Sequence, residues 1–266
     1  MTTPNVPLRM ELSFEMPGTA AQVWDAVATA NGISSWFIPT DVEEHEGGAI
    51  AFHMGPEASS EGTVTGWEPH HRFSYVEPEW AALSGHDVDS VTPLATEFLV
   101  EAQSGGTCVV RVVTSAFGSG ADWEGEFFAE MERMWLPFFD RLRLYLTHFP
   151  GQRVTQMEVN LDVTGEAAPL WSAMRDALPS DEVGKTFAVR DLAGQVESVG
   201  DVQLLVRLTD PVPGMLAFAA FATGPETARG TVQGHLFSDK APTVVEEEQA
   251  AWREWLDGLN VAAPDR

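Results

Sequence analysis

Residues 122–149 read DWEGEFFAEMERMWLPFFDRLRLYLTHF, and this stretch decides the fold of the first half of the chain. Trp123, Phe127, Met131, Trp135, Phe138, Leu142, Tyr145 and Phe149 recur at steps of three and four, which lays one broad apolar stripe along a helix. Glu126, Glu130, Glu132, Arg133, Asp140 and Arg141 fall on the opposite face. Asp122, Glu124 and Glu126 stand where the helix macrodipole favours anions, and Arg141, Arg143 and His148 stand at the other end. Pro137 predicts a kink near residues 133–137. A stripe this bulky needs a large apolar partner, and a curved antiparallel sheet would supply it.

The segments before the helix read as that sheet. Leu8–Glu15 alternates as a strand, and Thr19 with Gln22 forms a capping box for a helix to about Thr29. Trp36-Phe37 sits in a short turn before Pro39. Strands are predicted at Val42–His45, Ala49–Met54, Glu61–Glu68, Arg72–Glu77, Leu94–Gln103 and Thr107–Ala116. Pro78–Pro93 reads as a loop, and Gly118-Ser119-Gly120 as a flexible lead-in to the long helix.

After residues 151–153 the order repeats. The sequence predicts a strand at Thr155–Val163, a helix at Glu166–Leu178 and strands at Thr186–Arg190, Gln195–Val199, Val202–Leu208, Met215–Ala222 and Thr231–Phe237. A last helix, capped by Thr243 and Glu246, is predicted to reach about Leu259. The letters repeat too. EMPGTAAQVW at 15–24 matches DVTGEAAPLW at 162–171 in glycine, both alanines and tryptophan, and Trp135, Asp140 and Leu142 match Trp252, Asp257 and Leu259. The expected organisation is a ligand-binding domain over residues 1–150 and a shortened second copy over 151–266.

Charge narrows the partners. The chain carries 40 acidic and 15 basic side chains for a net −25, and both halves are acidic. Such a surface argues against nucleic acid and anionic membranes. Only one cysteine, Cys108, is present, so no internal disulfide can form and it reads as a buried structural thiol. Met1–Pro7 is short and polar, and no apolar run approaches the roughly 18 residues of a membrane span. These features predict a cytoplasmic protein.

Several of these stretches resemble a known family. VWDAV at 23–27, SSWF at 34–37 with Pro39, GGAIAFHMG at 47–55, GTVTGWEP at 62–69, TEFLVE at 96–101, GGTCVVRVV at 105–113 and FFDRLRLYL at 138–146 are similar to the domain related to the activator of the heat-shock-protein ATPase, within the START-like (SRPBCC) or helix-grip superfamily. The resemblance implies an α+β fold of antiparallel strands gripping a long C-terminal helix, with a cavity between them. It implies no fixed catalytic set.

Seven histidines show no metal-binding spacing, and no phosphate-binding or nucleophile motif is present, so neither a metal, a cofactor nor a catalytic residue is assigned. His53 and Glu97 lie on strands and would matter only if they faced inward. The expected ligand-binding residues are Trp36, Phe37, Phe52, Tyr75, Trp80, Phe98, Phe117, Trp123, Phe127 and Met131, with Trp36 and Trp80 closing the mouth. The predicted partner is a small hydrophobic or aromatic ligand. Two other readings stand beside binding: an enzyme of the same fold, aromatase/cyclase-like or hydrolase-like, and a protein-interaction or chaperone-cofactor role whose partner the sequence does not name.

Overall fold

The computed structural model describes residues 5–55, 58–83, 85–224 and 226–260, so the first four residues of the Met1–Pro7 segment and Ser84 of the Pro78–Pro93 loop lie outside it. The chain divides into two compact units, Met1–Gly151 and Gln152–Arg266.

The first unit opens with β1 (Val6–Pro17) and α1 (Ala20–Ala28). Thr19 and Gln22 form the capping box: each side chain accepts from the other's backbone N–H, at 3.3 and 2.9 Å. Then follow α2 (Ala30–Ser34), β2 (Thr40–Val42), β3 (Ala49–His53), β4 (Ser59–Glu68), β5 (Arg72–Glu77), α3 (Trp80–Leu83), β6 (Leu94–Ala102), β7 (Thr107–Gly118) and α4 (Asp122–His148). The seven strands pair antiparallel in the order β1-β7-β6-β5-β4-β3-β2. β2 ends three residues before the expected His45. The Glu43 carboxylate turns back to accept from Ala49 N at 2.9 Å, so residues 43–48 close as a turn.

α4 packs against β1, and Phe14 stacks on Phe139 with ring centroids 4.0 Å apart. Its C-terminal half buries Phe139, Leu142 and Tyr145 almost completely, each worth about 1.5–3 kcal/mol against exposure. Pro137 lies inside an unbroken helix. Two polar residues of α4 are buried, and one of them, Arg141, was expected on the outer face. Arg141 is buried with its guanidinium 4.9 Å from the Phe138 ring, and Glu124 is fully buried. The Gly118-Ser119-Gly120 lead-in explains the burial of Glu124. Ser119 N, Ser119 Oγ and Gly120 N all donate to the Glu124 carboxylate at 2.8–2.9 Å, so this turn is pinned rather than loose.

The second unit repeats the plan. β8 (Thr155–Thr164), α5 (Ala167–Asp176), β9 (Thr186–Val189), β10 (Leu192–Val199), β11 (Gln203–Asp210), β12 (Gly214–Gly224), β13 (Thr227–Leu236) and α6 (Ala241–Asp257) form a six-stranded antiparallel sheet, β8-β13-β12-β11-β10-β9, with α6 against β8. In both sheets the first strand pairs with the last, so each unit is a helix-grip domain and the chain is α+β. α6 starts at Ala241 without a side-chain cap, three residues earlier than a Thr243 cap would start it, because Pro242 fits the first helical turn. The second sheet has one strand fewer. Only residues 211–213 join β11 to β12, where residues 78–93 join β5 to β6 in the first unit. Phe187, Phe218, Trp252 and Trp255 pack among themselves in the second core, ring centroids 5.3–5.8 Å apart.

Candidate ligand site between the first sheet and its helix

Alternation along β5 and β6 decides which side chains meet α4. Phe73, Tyr75 and Glu77 share one face of β5, and Leu94, Thr96, Phe98 and Val100 share the buried face of β6. On α4, Phe127, Met131 and Trp135 follow at intervals of four and form one row. Between row and sheet lies a cavity of about 260 Å³, walled by Phe52 and Tyr75 from the sheet, by that row from the helix and by Trp80 from α3.

Six of the ten expected residues line this cavity: Phe37, Phe52, Tyr75, Trp80, Phe127 and Met131. Trp36 and Phe98 line a void of about 10 Å³ beside it. Trp36 is no gate. It is buried, and its Nε1 donates to Ala26 O at 2.8 Å, which fixes it in the core. Trp80 is buried too, with Nε1 donating to Thr92 O at 2.9 Å, so it is a fixed wall and not a door. Trp123 lies outside the lining. Its ring faces His86, centroids 3.9 Å apart and planes 10° apart, and it packs on the cavity wall at Trp80. Phe117 is 50% exposed, because strand alternation turns it away from the face that Thr114 and Ala116 share.

His53 and Glu97 point away from the cavity. His53 Nε2 lies 2.9 Å from Asp41 Oδ2, and Arg72 Nε donates to Glu97 Oε2 at 2.5 Å, both part-exposed pairs. The carboxyl inside is Glu77, which sequence reasoning missed. Its signal was present in RFSYVE at 72–77, where a period of two puts it on the face of Tyr75. Ser60 Oγ, from the first turn of pairing in β4, donates to Glu77 Oε1. Thr96, paired in register with Tyr75, is the other polar member, its hydroxyl 3.3 Å from that of Thr114. Trp135, Phe138 and Met134 also line the cavity and were not on the expected set.

Burial sets the electrostatics. It pushes the Glu77 carboxyl above its ordinary value, with the Ser60 hydrogen bond pulling the other way. Burial also pushes the Tyr75 phenol well up, the Glu77 charge adds to this, and a hydrogen bond with Thr96 opposes it. Cys108 is buried, its Sγ 3.5 Å from Gly18 O, and its thiol is likewise pushed up by burial. Among the described residues no group of three or more His, Cys, Asp or Glu is placed to hold a metal ion. No described helix is long and apolar enough to cross a membrane.

A family model described as activator of Hsp90 ATPase homolog 1-like protein matches residues 17–147, almost the whole first unit. Residues 17–147 belong to that family. The second unit lies beyond the matched stretch of the activator homologue-like domain. No curated protein matches the chain. Similar solved structures include protein MLL2253 from Mesorhizobium loti, at 16% identity over 53% of this chain and 98% of that one, with a TM-score of 0.46. The di-domain ARO/CYC BexL from the BE-7585A biosynthetic pathway is 14% identical over 95% of this chain and 93% of that one, with a TM-score of 0.43. BH1534 from Bacillus halodurans is 22% identical over 55% and 99%, with a TM-score of 0.41.

Proposed function

We propose that the first unit is a ligand-binding domain for a small hydrophobic or aromatic molecule held between its sheet and α4. The cavity of about 260 Å³ carries this reading. Its walls are mostly aromatic rings, methionines and aliphatic side chains, and its polar residues Ser60, Glu77 and Thr96 come from the adjacent strands β4, β5 and β6. Apolar walls with a small polar set are the usual make-up of a small-molecule site. Met54, Met131 and Met134 give the lining side chains that adapt to a ligand's outline. The net charge of −25 supports a partner other than nucleic acid or an anionic membrane, and the single buried thiol fits the cytoplasm.

The test is isothermal titration with 2-methylnaphthalene against wild type and Met131→Trp, which fills the space beside the helix row. Saturable 1:1 binding that Met131→Trp removes while remaining folded supports the reading. Equal binding by both proteins places the ligand elsewhere.

A second reading, an enzyme of the same fold, has one observation behind it. The Tyr75 hydroxyl and the Glu77 carboxyl line the same cavity, two residues apart on β5, and burial displaces the acidity of both. Such a pair can give or take a proton from a bound molecule. Native mass spectrometry of the protein as purified checks it: a bound molecule that changes mass on wild type and persists on Glu77→Gln supports catalysis.

A further inference from the structure

Glu77 is the one carboxyl in the cavity wall, and among the described residues that line the cavity there is no Lys, Arg or His to balance it. Ser60 donates to Oε1, and apart from Thr96 and the Tyr75 hydroxyl the rest of the cavity lining is apolar. A carboxylate taken out of water without a counter-charge is costly, and the cost is relieved when a cation arrives. The nearby side chains suit a cation as well. Tyr75, Trp80 and Phe127 border the same space, and ring faces attract ammonium groups. The acidic protein raises the local concentration of cations and repels anions.

We infer that the occupant of this cavity is a hydrophobic amine, its ammonium group against the Glu77 carboxyl and its ring or chain among Phe52, Tyr75, Trp80 and Phe127. The inference rests on the ligand-binding reading above and names the ligand class. It narrows the predicted partner, a small hydrophobic or aromatic ligand, to one with an ammonium group. The alternation of β5 is what puts a carboxyl inside.

The experiment uses the full chain and four molecules sharing one body: 2-naphthylmethylamine, 2-naphthylmethanol, 2-methylnaphthalene and 2-naphthoate, each titrated calorimetrically into wild type and Glu77→Gln. Wild type is expected to bind the amine best, then the alcohol, then the hydrocarbon, with naphthoate weakest. Glu77→Gln keeps the side-chain shape and is expected to lose about tenfold or more in amine affinity, the value of one charge-assisted contact. The hydrocarbon should bind both proteins alike. An amine that binds wild type no tighter than 2-methylnaphthalene overturns the inference and leaves the cavity reading intact. Amine affinity unchanged in Glu77→Gln also overturns it. If none of the four binds wild type, both fall together. Should Glu77→Gln fail to fold, the order of the four affinities on wild type decides alone.

Discussion

Ser60 donates a hydrogen bond from its hydroxyl to the Glu77 carboxyl, tying the start of β4 to the end of β5 at the polar side of the first unit's cavity. The two strands are neighbours, and the bond spans 17 residues of sequence. It gives the half-buried carboxyl a donor, and the linked consequence is a pH dependence of stability.

Burial raises the folded Glu77 value above 4.5, so the folded protein holds its proton where the unfolded chain has released it. By linkage, stability is lost as pH rises from the unfolded value through the folded one. Glu77→Gln removes this dependence. The difference in unfolding free energy between variant and wild type should therefore grow from about pH 4.5 upward and then level off. Urea unfolding of both proteins across that range checks it; a constant difference contradicts it.

Glu124 makes the opposite prediction. Burial alone would raise its carboxyl, but the hydrogen bonds from Ser119, Gly120 and Ala121 outweigh this and lower it. Its contribution is present above the unfolded value of 4.5 and lost as pH falls through the folded one. Glu124→Ala leaves these donors unpaired and should cost about 1–3 kcal/mol at neutral pH. Gly118→Ala should also destabilise, since a Cβ there would stand 2.1 Å from Glu124 Oε2. Thermal melts at neutral pH measure both, and a wild-type midpoint for Gly118→Ala would show that the turn yields.

Two aromatic residues one turn apart on α4 separate by geometry. Phe127 lines the cavity and Trp123 does not. Phe127→Ala should weaken 2-methylnaphthalene binding by roughly 5- to 150-fold, whereas Trp123→Ala should stay within about twofold. Titration of the two variants checks this, and a large loss in Trp123→Ala would move the mouth toward the His86 stack.

Trp36 and Trp252 contrast in another way. Both are fully buried, but Trp36 Nε1 donates to Ala26 O while Trp252 Nε1 has no acceptor among the described residues. Both lose similar volume on change to Phe. Trp36→Phe should therefore cost about 1 kcal/mol more than Trp252→Phe, read from urea midpoints. Equal costs would mean that volume alone decides.

The fold was legible because its signals are periodic. Steps of three and four along 122–149, alternation in the strands and the two matched blocks each survive as elements, with the Thr19–Gln22 cap present as read. The cavity was legible only in part. Residue type picked out aromatics, but the side of a strand or helix decides whether an aromatic lines a space, fills a core or meets solvent. Phe117 falls on the wrong side of β7, and Trp36 is claimed by a backbone carbonyl ten residues away. Glu77 was hidden because a carboxylate in an amphipathic strand reads as a solvent-facing residue. Glu124 was hidden because its donors come from the turn before the helix.

The measurement that bears most directly on the binding account is a crystal structure of the full chain soaked with 2-naphthylmethylamine. The account predicts the naphthalene between the row of Phe127, Met131 and Trp135 and the face of Tyr75, with its nitrogen within hydrogen-bond reach of the Glu77 carboxyl. Density for the molecule outside this cavity, or an empty cavity at saturating concentration, would contradict it.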